Sequence, residues 1–160
     1  MTTLPLDSGE IAKVKLLVVS SVGGHLEEVR QIVSRLEEFE VIWAVNDDEL
    51  MESRGLSGKT YRIAHAERDW RVLLNLWEAW KIIRTERPDA MLSAGAGPAV
   101  SMAVICRVRR IPVIFVESIA QVDAPSLTGR LMYYLANRFF YQWPELSGFF
   151  PRGECVGLLR

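Results

Sequence analysis

The sequence predicts a single α/β domain in which one parallel sheet is covered by helices on both faces. Three observations indicate this fold: short apolar runs typical of buried strands, stretches with helical spacing of apolar residues, and regular alternation between the two. Alternation of this kind favours right-handed crossovers and a Rossmann-like sheet with the strand order 3-2-1-4-5-6. A chain of 160 residues, 49% of them hydrophobic, has room for one such domain.

Six strands are predicted from the apolar runs. The first, KVKLLVVS at residues 13–20, is almost continuously apolar, as expected of a strand buried on both faces. The second, VIWAV, ends at the polar residues 46–48, and the run IPVIFVE ends at a carboxylate. The predicted strands are residues 13–20, 41–45, 59–63, 89–93, 111–117 and 139–143.

The segments between these strands predict helices. From Leu26 to Leu36 apolar residues recur at helical spacing, with charged residues such as Glu27 and Glu28 between them. Further helices are predicted at residues 70–83, 99–107 and 126–137. Residues 1–12 are expected to be a disordered lead-in to a domain at 13–160, and the tail from Phe149 is interpreted as the start of a connection.

The helix predicted at residues 70–83 is more apolar than a helix that only covers a sheet. A surface helix needs an apolar arc of roughly 100°, and here the polar residues are confined to a narrow stripe. That stripe is Arg71, Asn75, Glu78 and Lys81. A partner or membrane face is therefore predicted at Trp70, Leu73, Trp77 and Trp80, with a covered core as the alternative.

Composition excludes several classes of function. The net charge of -1 and a pI near 6.2 argue against nucleic acid as a partner. Two cysteines without a CxxC motif give no ligand spacing for a metal and no disulfide framework, and they fit a reducing, cytoplasmic compartment. No signal peptide is recognised, and no apolar run approaches the roughly 20 residues that span a bilayer. The sequence indicates no cofactor.

Two glycine-bearing turns are the strongest candidates for a binding site. In an open parallel sheet, ligands bind beyond the carboxyl ends of the strands where the strand order reverses, here between the first and fourth strands. Gly23 and Gly24 in the turn SSVGGH allow close approach to a helix N-terminus that favours anions such as a phosphate or diphosphate. The turn with Gly95 and Gly97 repeats this arrangement. Tight packing is the alternative for both turns, and the first turn does not match GxGxxG, the dinucleotide-binding motif.

Several side chains near these turns are candidates for chemistry. His25, at the start of the first helix, can take up a proton near neutral pH or can be a capping residue. Glu117 ends the fifth strand at the same edge and is expected to bind sugar hydroxyls or to cap the next segment. Arg130 is expected to meet a phosphate or to be a solvated surface residue.

At these residues the sequence resembles a known family. VSSVGGHLEEV, LSAGAGPAV and VESIAQVDAPSLTGRLMYYLANRFFYQWPEL are similar to the small subunits that anchor the eukaryotic UDP-N-acetylglucosamine transferase of dolichol-linked oligosaccharide synthesis. Bacterial relatives of these subunits serve in capsule and exopolysaccharide assembly. The domain also resembles, more distantly, the N-terminal half of the GT-B enzyme that transfers N-acetylglucosamine to a peptidoglycan lipid.

The resemblance implies an acceptor-binding subunit of a heteromeric, inverting, metal-independent glycosyltransferase. A separate GT-B C-terminal-like subunit would bind the UDP-sugar, and this chain would bind a polyprenyl-diphosphate-linked acceptor at the inner face of the plasma membrane. Carried over by position, His25 would be the base or an orienter of the attacking hydroxyl. The acceptor side would comprise Ser21, Gly23, Gly24, Gly95, Gly97, Glu117, Ser118 and Arg130. The alternatives are a non-catalytic scaffold that activates its partner and a free-standing nucleotide-binding domain.

Overall fold

The computed structural model describes residues 13–46, 55–63, 71–95 and 97–159, with the side chains of residues 71–73 left out. The predicted lead-in at 1–12 lies outside these ranges. The strands are β1 (Val14–Ser20), β2 (Phe39–Asn46), β3 (Lys59–Ile63), β4 (Ala90–Ser93), β5 (Val113–Val116), β6 (Arg138–Tyr141) and β7 (Glu154–Cys155). The α-helices are α1 (Gly24–Val33), α2 (Arg71–Glu86), α3 (Gly97–Val108) and α4 (Leu127–Leu135), and a 3-10 helix covers Pro144–Gly148.

The sheet confirms the predicted architecture. Its strands are parallel and lie in the order β3-β2-β1-β4-β5-β6-β7. The central strand β1 is hydrogen-bonded to β2 on one side and β4 on the other, with Val19 opposite Ser93. The fully buried residues Leu17, Val18 and Val19 explain its continuous apolar sequence.

Helices cover both faces of the sheet. On one face Ile83 of α2, Met102 of α3 and Met132 of α4 pack with Phe115 in one core cluster. On the other face Leu26 and Val29 of α1 pack against β1, β2 and Val116. The turns after β1 and β4 therefore lead to helices on opposite faces, which opens a crevice between them at the carboxyl edge of the sheet.

The interpretation of the C-terminal tail as a connection is wrong. Glu154 and Cys155 form β7, which pairs with β6, and the amide of Val156 donates to the carbonyl of Tyr141 at 3.0 Å. This strand has two exposed residues and no apolar run, so its existence depends on the neighbouring edge rather than on its own sequence.

Two residues assigned to polar helix faces are buried. Asn75 of α2 is 3% exposed and Glu28 of α1 is 8% exposed. The polar stripe of α2 thus includes a buried residue, because helical spacing identifies a polar position without showing whether it is exposed. Helix α2 also extends beyond its predicted end to Glu86, and Arg87 follows with a positive φ of 49° before Pro88.

Candidate functional site

The two predicted glycine turns meet in the structure. The Nδ1 atom of His25 lies 3.1 Å from the carbonyl oxygen of Ala94, which follows β4. A carbonyl oxygen only accepts hydrogen bonds, so Nδ1 carries the proton and donates it. In the neutral ring Nε2 is then the atom with a free lone pair, and the half-buried His25 can accept a proton there.

Gly95 allows the ring of His25 to lie against the second turn. A Cβ atom on Gly95 would stand 2.9 Å from both Nδ1 and Cε1 of His25, and the φ of Gly95 is +125°. Both the contact and the conformation exclude an ordinary side chain at this position. The hydroxyl of Ser93 also engages the peptide groups of Gly95 at 3.3 Å, which holds the turn in place.

The N-terminus of α1 is open to a ligand. Gly23 precedes the helix with a φ of 119°, and no side chain caps the first turn. Cβ atoms built on Gly23 or Gly24 would meet nothing within 4 Å, so neither glycine is required by packing against another group. Free amide groups and the helix dipole make this an anion-binding geometry.

The remaining small residues of the turns border the same crevice. Ser21 follows β1 and is half-buried, and its carbonyl accepts the hydroxyl of the buried Ser20 at 3.0 Å. Gly97 is exposed at the first position of α3. The structure therefore joins the two turns at His25 and Gly95, with Ser21, Gly23 and Gly24 in the first turn and Gly97 at the start of the helix that follows the second.

Glu117 is placed below the crevice surface rather than in it. The residue is 1% exposed, and its Oε1 accepts the hydroxyl of Ser126 at 2.8 Å and the amide of Ser118 at 3.2 Å. Its Oε2 has no hydrogen-bond partner in the described part of the chain. Burial raises the pKa of Glu117, against the lowering effect of Ser126 and Ser118. The geometry favours the second role considered for it, a cap of the segment that begins α4.

Ser118 is likewise engaged within the protein. It is 5% exposed, and its hydroxyl donates to Oε2 of Glu28 at 3.1 Å. The sequence did not indicate this contact, because Glu28 resembles any charged position on an amphipathic helix. The segment FFYQWPEL contains two residues that reach the same loop. The side chain of Gln142 donates to Glu28 and to the carbonyl of Glu117, and the indole of Trp143 donates to the carbonyl of Ile119.

Arg130 is placed apart from the glycine turns. It lines a groove with a volume of about 350 Å³ on the outside of α4. The groove residues are Pro125, Arg130, Tyr133, Tyr134, Phe149 and Phe150. The exposed arginine thus lies in an aromatic groove rather than over the first turn of α1.

Helix α2 presents an apolar stripe to the outside. Leu74, Trp77 and Trp80 are 43%, 59% and 41% exposed. The Nζ of Lys81 lies 5.4 Å from the ring centre of Trp77, and the guanidinium carbon of Arg84 lies 5.0 Å from that of Trp80. Trp70 lies outside the described residues, and the side chain of Leu73 is not among those described.

The described helices include none that is long and apolar enough to cross a membrane. Within the same ranges no group of three or more His, Cys, Asp or Glu residues is arranged to hold a metal ion.

A family model for "Oligosaccharide biosynthesis protein Alg14 like" matches residues 68–159, more than half of the chain. The chain belongs to the Alg14-like family. The human UDP-N-acetylglucosamine transferase subunit ALG14 is 23% identical to this Alg14-like chain over 175 residues, covering 89% of the chain and 81% of the human protein. The subunit of the same name from Cryptococcus neoformans is 28% identical, covering 85% and 76%.

Solved structures confirm the fold. Acinetobacter baumannii MurG matches with a TM-score of 0.70 at 17% identity, covering 82% of the Alg14-like chain and 42% of MurG. UDP-N-acetylglucosamine 2-epimerase from Rickettsia bellii matches with a TM-score of 0.71 at 10% identity, covering 87% and 41%. The Alg14-like chain thus spans about two fifths of the length of these proteins, as expected of a domain equivalent to one half of a GT-B fold.

Proposed function

We propose that this chain is the acceptor-binding subunit of a heteromeric, inverting glycosyltransferase. The observation that carries the proposal is the docking of His25 on Ala94 and Gly95, beside the uncapped N-terminus of α1. This arrangement puts an anion-binding helix end and a proton acceptor within one crevice. Membership of a family whose relatives are named UDP-N-acetylglucosamine transferase subunits gives the reaction class.

In the proposed reaction, the crevice holds a polyprenyl-diphosphate-linked sugar. The diphosphate lies against the amides at Gly23 and Gly24, and an acceptor hydroxyl faces Nε2 of His25. The hydroxyl oxygen attacks the anomeric carbon of a UDP-sugar, its proton passes to Nε2, and the bond to UDP breaks with the electron pair leaving on UDP. Attack opposite the leaving group inverts the anomeric configuration.

The UDP-sugar is proposed to come from a separate chain. The likeness to about two fifths of MurG, together with the subunit names of the relatives, supports a second GT-B half that binds the nucleotide sugar. The active site would then lie between two chains. The pathway proposed for the pair is the synthesis of a lipid-linked oligosaccharide for capsule or exopolysaccharide.

We place the complex on the cytoplasmic face of the plasma membrane, in peripheral contact with it. The stripe Leu74, Trp77 and Trp80, bordered by Lys81 and Arg84, combines apolar surface with cations suited to anionic headgroups. A membrane face on α2 would keep the chain close to the lipid tail of its acceptor.

Replacing His25 with Ala in the co-purified pair tests the catalytic role. Loss of a general base costs about 10²- to 10⁴-fold in rate, so transfer should fall by at least about 10²-fold while assembly, followed by gel filtration, stays intact. Unchanged transfer with intact assembly would instead favour the scaffold that only activates its partner. Tight binding of NAD or a free nucleotide by the isolated chain would favour the nucleotide-binding domain.

A further inference from the structure

The backbone N–H and C=O groups of Ile119 are both hydrogen-bonded to side chains from distant parts of the chain. Its amide donates to Oε1 of Glu28 at 2.9 Å, and its carbonyl accepts the indole Nε1–H of Trp143 at 2.7 Å. Glu28 belongs to α1, whereas Trp143 follows β6. The loop after β5 is therefore anchored from two directions at a single residue.

Glu28 is the centre of this anchorage. Besides Ile119, its carboxylate accepts the hydroxyl of Ser118 at 3.1 Å and the side-chain amide of Gln142. The same amide of Gln142 donates to the carbonyl of Glu117 at 3.2 Å. A carboxylate that is 8% exposed is stable when donors surround it, and here the donors come from the loops after β5 and β6.

This anchorage lies next to the candidate site. Glu28 follows His25 by three residues on α1, which is about one helical turn. Since α1 begins at the glycine turn, a bond from Glu28 to residues 118–119 draws the loop after β5 toward the helix that carries His25. The exposed part of that loop includes Ala120, beyond the anchored peptide.

We propose that Glu28 is a positioning residue which, together with Trp143, holds the loop of residues 118–121 as a wall of the acceptor site. The proposal rests on the proposed function, because it assigns the loop to the acceptor. Releasing the loop should weaken acceptor binding and leave the UDP-sugar, bound mainly by the partner chain, little affected.

Four variants separate this role from a general effect on folding. Glu28→Ala removes all the acceptors, and Trp143→Phe removes only the indole donor to Ile119. Glu28→Gln keeps an oxygen for Ile119 and Gln142 and offers its NH₂ group to the hydroxyl of Ser118, so it should restore the wild-type behaviour. Glu27→Gln is the matched control, since Glu27 is exposed and its ion pair with Arg30 is 3.5 Å long.

The measurement is made on the co-purified pair, with a farnesyl-diphosphate-linked sugar as acceptor probe. We expect Glu28→Ala to raise the acceptor KM about tenfold, as for the loss of a hydrogen bond to a charged group, and Trp143→Phe to raise it about fivefold, as for the loss of a neutral hydrogen bond. The donor KM should change by less than about twofold. Hydrogen exchange of the amides at 118–121 should become faster in these two variants and stay unchanged in Glu27→Gln and Glu28→Gln.

Faster exchange with an unchanged acceptor KM would overturn the proposal, because the loop would then be released without consequence for the acceptor. Unchanged exchange would overturn it as well. If Glu28→Ala fails to fold, Trp143→Phe decides the matter alone. If the wild-type pair transfers no sugar to the probe, both the proposed function and this inference are rejected. If the wild-type pair is active but the variants have an unaltered acceptor KM, only this inference is rejected.

Discussion

At the scale of single residues, the two turns contain glycine for different reasons, and the contact with His25 explains only Gly95. Gly23 is required for its positive φ, and Gly95 for both its φ and the approach of the imidazole. Sequence reasoning predicted each turn, because glycine after a buried strand is a local signal. The pairing of His25 with Ala94 joins residues 69 positions apart, and no local pattern contains that information.

A substitution at Gly24 distinguishes an effect on binding from an effect on folding. Its φ is not positive, and a Cβ there would meet nothing within 4 Å, so Gly24→Ala should leave the free energy of unfolding unchanged or raise it by up to about 1 kcal/mol. A methyl group would nevertheless stand where the proposed acceptor diphosphate would approach the helix amides. We expect the acceptor KM to rise by about tenfold, the cost of weakening a hydrogen bond to a charged group.

Thermal unfolding and steady-state kinetics of the Gly24→Ala pair check this prediction. Gly148→Ala is a suitable control, because a Cβ at Gly148 is also without neighbours within 4 Å and lies in a 3-10 helix after β6. An unchanged acceptor KM in Gly24→Ala would show that the turn serves the fold alone.

Glu117 should make the stability of the domain fall as pH rises. Burial raises its pKa from an ordinary value near 4.5, so the folded state holds this proton more firmly than the unfolded state. The contribution to stability is complete below the unfolded pKa and is lost as pH rises through the folded pKa. Glu117→Gln cannot titrate, and its free energy of unfolding should lack this loss.

Urea unfolding of both proteins between about pH 4 and pH 8 measures the effect. The difference in free energy, variant minus wild type, is expected to increase with pH across this range. A difference that stays constant would mean that Glu117 has the same pKa in the folded and unfolded chains.

At the scale of elements, the helices show what periodicity can and cannot predict. The spacing of apolar residues located α1, α2, α3 and α4 to within a few residues. It placed Glu28 and Asn75 among the polar positions and did not predict that both are buried, because the spacing of residue types does not show their hydrogen-bond partners. The donors to Glu28 lie at positions 118, 119 and 142, so the burial of this carboxylate is a tertiary property.

The outward stripe of α2 predicts membrane binding. Trp77→Ala combined with Trp80→Ala removes two exposed indoles, each of which stands near a cation, and should reduce co-sedimentation with anionic phospholipid vesicles by about tenfold or more. Tyr134→Ala is the matched control, since Tyr134 is an aromatic residue of α4 with 76% exposure. An equal loss in the control, or no loss in the double variant, would contradict a membrane face on α2.

At the scale of the whole molecule, the order of the first six strands was predicted correctly and the seventh was missed. Long apolar runs specify central strands through their own sequences, as in β1. The short strand β7 forms only because β6 presents an unpaired edge to it.

Sugar transfer by separate and combined chains tests the central claim most directly. This chain, a co-purifying GT-B C-terminal-like partner, and the pair are each incubated with UDP-sugars and a polyprenyl-diphosphate-linked acceptor. We predict transfer by the pair, none by either chain alone, and loss of transfer when the pair carries His25→Ala. Transfer by this chain without a partner would contradict the account.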